Sequence, residues 1–228
     1  MNEGPSVRAV LARALPAAAA IVVFGTLYGA GARPVLGVPL TIASSLFIFS
    51  GSLQFALVAL LSAGAAPPAL LLTAGTLNLR HLVLGAVLRP RIGGSRLRRA
   101  VLAFFLLDET FGFAVAAGDA AAREGRAADA AAERTLLVSG VVCHLAWQTG
   151  TVTGLLGAEL PGVEGLAGAI FPVLFIGLAS LACRTRTDAV RALGAAALTA
   201  GLVFALPDLR ALAPVFAGVV VALPGRDP

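Results

Sequence analysis

Residues 44–65 read SSLFIFSGSLQFALVALLSAGA, an apolar run with Ser50-Gly51-Ser52 set in its middle. A helix crossing ~30 Å of hydrocarbon takes about 20 residues, and the apolar stretch around this interruption extends from Val35 to Gly64. Gly51 frees the backbone between two short apolar pieces, so a broken or re-entrant helix is expected here rather than a plain crossing. The surroundings are of the same kind. The chain has 228 residues, 58% of them hydrophobic and 13% charged, a balance no ordinary soluble domain shows. Apolar runs recur from about Ala14 to the C-terminus and leave no stretch long and polar enough for a soluble domain. The fold expected is therefore all-α, a single integral membrane domain over residues 1–228, built as a polytopic transmembrane helix bundle.

Measured against the bilayer, seven or eight hydrophobic segments emerge: Arg13–Gly31, the interrupted Val35–Gly64, Pro67–Leu88, Arg99–Gly118, Thr135–Gly157, Gly165–Cys183, Asp188–Leu206 and a shorter Leu209–Leu223. Arg8 and Arg13 followed by an apolar run and Ala30–Ala32 have the outline of a cleaved signal peptide, but the spans that follow make cleavage unnecessary for insertion. Cys143 and Cys183 have no CxxC spacing and read as packing residues.

The formal charge is +5 and all the basic residues are Arg. In a soluble protein that charge suggests nucleic acid; here the Arg residues sit in short loops between apolar runs, the positive-inside pattern. The absence of Lys reflects coding bias. The loop Arg89–Arg99 holds five Arg and no acid and marks the cytoplasmic side. Arg8 and Arg13 at the N-terminus, and Arg184, Arg186 and Arg191, vote for the same side. Three segments separate each basic cluster from the next, yet equal sidedness needs an even number of crossings. A broken segment in each half restores the count: Val35–Gly64, and Gly165–Cys183, which Pro172 interrupts. Matching discontinuous helices in two halves point to an inverted-repeat transporter with its site near the midplane. An external N-terminus or one hidden crossing also repairs the parity. The charged stretch Asp119–Arg134 is expected as a solvated extracytoplasmic helix or loop without chemistry.

Ionisable residues deep in a bilayer cost ~3 kcal/mol each on insertion scales and are paired or line cavities. Asn78, Arg80 and His81 fall just past the middle of Pro67–Leu88. Asn78 and His81 lie within about 60° of each other around the helix, with Arg80 roughly opposite, so Asn78 and His81 are expected to line the substrate path. Asp108 and Glu109 fall near the centre of the fourth segment, an antiparallel neighbour, so Arg80 can pair with either. The pair is structural, or one acid is left to carry a proton or meet an ammonium. Ser50, Gly51, Ser52 and Gln54 flank a helix restart whose free N–H groups suit a carboxylate; the alternative is close small-residue packing. His144, Trp147, Gln148 and Thr151 recur on one face of the fifth segment. They line the path or only pack, as do Phe24, Gly25, Tyr28 and Gly29. There is no HExxH, GxSxG, P-loop or Asp-rich diphosphate motif, and two distant His residues make no metal site. An enzyme, a metal and a cofactor are therefore not expected.

The order of FGTLYGAGA, SSLFIFSGSLQFALVALLSAGA, TLNLRHLVLGAVLRP and LAFFLLDETFGFA resembles the AzlC family of bacterial branched-chain amino acid permeases. The resemblance is dense over the first half of the chain and looser through Trp147-Gln148-Thr149-Gly150 and Phe171-Pro172. It implies the large subunit of a two-component exporter in the bacterial inner membrane, working with a small hydrophobic AzlD-like subunit. Carried over by position, the motif residues are Ser50, Gly51, Gln54, Asn78, Arg80, His81, Asp108 and Glu109. One departure stands in GLAGAIFP, where Gly168 occupies a place at which relatives often carry an acid. The function expected is proton-coupled export of branched-chain amino acids; a non-transporting membrane scaffold is the other reading. In the first, the break at Ser50–Ser52 takes the carboxylate, Asp108 or Glu109 takes the ammonium or a proton, and Arg80 steadies the acids.

Overall fold

The computed structural model describes residues 5–157, 185–206 and 213–222. Among these residues every regular element is helical: α1 (Val7–Phe47), α2 (Gly51–Ser62), α3 (Pro67–Leu88), α4 (Arg96–Phe104), α5 (Asp108–Arg123), α6 (Ala128–Gly157), α7 (Arg186–Ala205) and α8 (Ala213–Ala222), with a 3-10 turn at Arg89–Arg91. Three of the described helices are long and apolar enough to cross a membrane, α1, α3 with its 3-10 turn, and α7; a fourth span arises if α4 and α5 are counted as one bent unit. α6 has 30 residues but is not among them, because its His, Gln and Thr stripe lowers its mean hydropathy.

Ser6 starts α1 by accepting the Ala9 N–H on its hydroxyl at 3.3 Å. The expected gap between Gly31 and Val35 is absent. Pro34 fits helical φ and forfeits one N–H, so the helix runs on to Gly37, the one residue inside it with non-helical angles (φ 69°, ψ 168°). Only glycine takes that φ without strain. A short helical arm, residues 38–47, follows and ends where Ile48 and Ser50 become extended (φ −111° and −154°) before α2 restarts at Gly51. The interruption read from the sequence is thus present at residues 48–50.

The fourth segment departs from expectation. Instead of one helix over Arg99–Gly118, α4 and α5 meet at a 120° bend across residues 105–107. Thr110 makes the bend: its hydroxyl accepts the Leu107 N–H at 2.8 Å and donates to the Phe105 carbonyl at 2.7 Å, replacing backbone partners that the turn removes. Asp108 and Glu109 therefore open α5 in its first turn, where the helix dipole favours acids, and do not lie inside a continuous span.

The charged stretch after α5 is also placed otherwise than expected. Arg91 pairs with Asp119 at 2.8 Å and Arg98 with Glu133 at 2.6 Å, so residues 119–134 lie at the same end of the molecule as the basic loop, the cytoplasmic end by the positive-inside rule. α4 and α5 enter and return as a re-entrant hairpin. α1 and α6 run parallel, with Gly25 against Gly150 and Arg33 donating to the Leu155 carbonyl at 2.9 Å, which puts Arg8 and Arg13 at that end too. An external N-terminus is not needed. α3 is about 33 Å long and ends at the basic loop, so Gly64 and Gly37 lie at the opposite end, from which arm 38–47 and α2 enter. The interruption of Gly165–Cys183 at Pro172, with Gly168 and Cys183, lies outside the described residues.

α1 and α6 form the core. A methyl at Gly29 would strike the Thr151 carbonyl, and one at Gly150 or Gly154 would strike the Val22 or Thr26 carbonyl. The GxxxG pairs Gly25/Gly29 and Gly150/Gly154 thus let two backbones touch, the packing that replaces hydrophobic burial inside a bilayer. α3 buries only Leu88 and exposes Leu71, Leu79, Leu82 and Val83. α7 and α8 pack on each other, with Leu198, Leu202 and Phe216 lining the groove between them.

Candidate functional site

The two interruptions enter from opposite ends and meet beside the middle of α6. Phe49 of the first lies 5.9 Å from Phe104, the last residue of α4, and both ring centroids lie close to that of His144, at 4.9 and 5.3 Å. Phe105 completes the aromatic wall at 6.2 Å from His144. α2 and α5 both begin here, so two helix N-termini with unsatisfied N–H groups face one region.

Above the first tip Tyr28 stacks on Trp147 at 5.5 Å, and Phe55 meets both rings edge-on at 5.8 and 6.2 Å. Gly51 lies close against Trp147. A methyl there would sit 3.2 Å from the Trp147 ring, so glycine lets the indole lie over the start of α2. Part of the polar stripe is consumed in holding the arm against α6. Gln148 donates to the Ser45 carbonyl at 2.8 Å and accepts from the Ser45 hydroxyl at 3.0 Å, while Ser45 and Thr151 share a hydrogen bond of 2.8 Å. Tyr28 and Ser44 share another at 2.6 Å. Gln148, Thr151 and Tyr28 thus anchor a broken segment, and Gly25 and Gly29 pack against the α6 backbone.

Other buried polar atoms at this place have no such partner. Gln54 is 1% exposed and neither atom of its amide makes a hydrogen bond; its carboxamide adjoins the Tyr28 hydroxyl without reaching ordinary geometry. Ser50 Oγ, Trp147 Nε1 and His144 Nδ1 are buried and unpaired as well. Each such group costs about 1–3 kcal/mol when dry, so four residues left this way around one tip single it out as the candidate site.

Arg80 ties the two restarts together. It donates from Nη1 to Asp108 at 2.8 Å and from Nη2 to the Ser52 hydroxyl at 2.8 Å. Of the two acids, Asp108 is therefore the one it holds. Glu109 is exposed and makes no ion pair among the described residues, and its charge reaches Cys143 on α6. Asn78 turns its amide back to the Ala74 carbonyl of its own helix at 2.9 Å. His81 is half-buried against the Leu106 backbone, so it adjoins the second tip. Phe24 packs against the α1–α6 core.

Ser44, Ser45, Phe104, Phe105 and Thr110 escaped the sequence reading. Thr110 had a signal: Asp-Glu-Thr after an apolar run is the composition of a helix start. Ser45 had none, since its role depends on a residue 103 positions away.

Residues 16–160 match the family model described as AzlC protein, an interval that contains every side chain of this site. Inner membrane protein YgaZ of Escherichia coli (strain K12) is 31% identical over 189 residues, 78% of this chain and 74% of that protein. No solved structure matches.

Proposed function

The chain belongs to the AzlC family, and from that premise we propose that it is a secondary transporter of the bacterial inner membrane that exports branched-chain amino acids in exchange for protons. The observation that carries the proposal is the set of unpaired buried groups at the first tip, Ser50 Oγ, both amide atoms of Gln54 and Trp147 Nε1. A free amino acid supplies what they lack. Its carboxylate takes the N–H groups at the start of α2 with Ser50 and the Gln54 amide; its branched side chain takes the wall of Phe49, Phe104 and Phe105. Its ammonium needs an anion, and Glu109 is the acid that Arg80 leaves free. Asp108 then serves as the counter-ion of Arg80, and Glu109 carries either the ammonium or a proton. His81 and His144 border the region between the tips and give a proton a route through it.

The Arg80 and Asp108 side chains are 40% and 56% exposed at bilayer depth, and α3, which carries Arg80, buries almost nothing. On that face we place the small hydrophobic AzlD-like subunit, whose packing would remove the ion pair from lipid.

Leucine counterflow in proteoliposomes tests the reading. Wild type should accumulate labelled leucine against an internal leucine pool, and Glu109→Gln should uncouple that exchange from a pH gradient. Equal proton-coupled counterflow by wild type and Glu109→Gln would remove Glu109 from the mechanism. No counterflow by wild type with the AzlD-like subunit present would favour a membrane scaffold.

A further inference from the structure

A cavity lies between the second tip and the cytoplasmic end. It encloses about 310 Å³ between the end of α3, α4 and α6; Leu88, Leu102, Leu106 and Leu136 form its wall and Arg89 and Arg99 its mouth. The four leucines are 0–5% exposed. The loop that supplies the two Arg carries five, and their fates differ. Arg91 and Arg98 are neutralised by Asp119 and Glu133. Among the described residues Arg89 and Arg99 have no ion-pair partner, and both of them, unlike Arg96, line the cavity.

From this we infer that the cavity binds an anionic phospholipid of the cytoplasmic leaflet, its phosphate between Arg89 and Arg99 and part of an acyl chain among the leucines. The chemistry selects that class. Two guanidiniums with no acid beside them repel an ammonium, so a free amino acid or a zwitterionic headgroup is disfavoured. A soluble phosphate would gain nothing from four leucine walls. A phosphate joined to hydrocarbon satisfies both, and an interfacial loop of Arg is where the leaflet presents one. The start of α4 fits the interface: Arg96, Arg98 and Arg99 mark its polar side, while Leu97 and Val101 are exposed. Leu106 is both a wall of the cavity and part of the second tip, so an acyl chain there supports the re-entrant hairpin from below.

The test is thermal unfolding of the purified full chain in neutral detergent. Dioleoylphosphatidylglycerol should raise Tm by about 5 °C, whereas dioleoylphosphatidylcholine and sn-glycerol 3-phosphate should shift it by less than about 1 °C. Arg89→Gln with Arg99→Gln should abolish the response, and Arg96→Gln should keep it. Gly85 lines the cavity, and a Cβ there has only Leu106 within reach, at 3.9 Å, so Gly85→Val intrudes on the acyl-chain space beside Leu106 while leaving both Arg in place. That variant should also lose the response, and it decides the matter if the double variant does not fold. The inference is overturned if phosphatidylcholine or glycerol phosphate gives the same shift, if Arg96→Gln removes it as fully as the pair does, or if Gly85→Val retains it.

Discussion

Gln54 is the residue at which stability and function pull apart. Its amide is buried without a partner, so a shape-matched apolar side chain removes a desolvation cost. Gln54→Leu should leave Tm unchanged or raise it by a few degrees, while leucine counterflow falls by more than about tenfold. Parallel losses of Tm and transport would make Gln54 a packing residue. Thr110 is the opposite case, since its hydroxyl closes the second bend on both sides. Thr110→Val strands the Leu107 N–H and the Phe105 carbonyl and should cost about 2–3 kcal/mol. Thr110→Ser should recover most of that in the same denaturation experiment. Neither role can be read from residue type, because each depends on which partners the fold supplies or withholds.

At the scale of elements, glycine spacing fixes the central crossing. Gly29 and Gly154 face backbone carbonyls of the opposite helix with no room for a side chain. Gly29→Val and Gly154→Val should each abolish monodisperse protein in size-exclusion chromatography, whereas Gly201→Val on α7, where nothing lies within reach of a Cβ, should not. α3 was legible to its ends, Pro67 and Leu88, because prolines open it and an Arg turn closes it. The first interruption was legible too, since Ser-Gly-Ser inside an apolar run combines a free backbone with hydroxyls that compete for its hydrogen bonds. The bend between α4 and α5 was not read, because it contains neither Gly nor Pro. A side-chain hydroxyl makes it instead, and hydropathy does not register one Thr.

For the whole molecule the decisive feature is sidedness. With α4 and α5 returning to their own side, the basic loop and the charged stretch share one face. Reporter fusions at Ser95 and Ala127 should both report the cytoplasm, and a fusion at Ala65 the other side. Opposite readings at Ser95 and Ala127 would turn the hairpin into a crossing and separate the Arg91–Asp119 and Arg98–Glu133 pairs, which the structure does not allow. By itself the sequence determined the environment, the helical class, the family motifs and the first interruption, because bilayer solvation acts on local composition and length. Only the tertiary structure decided that two re-entrant tips meet at His144, that Arg80 takes Asp108 and leaves Glu109, and that Gln148 anchors while Gln54 stays unpaired. Those outcomes depend on contacts between residues far apart in the chain, and such contacts leave no periodic trace in it.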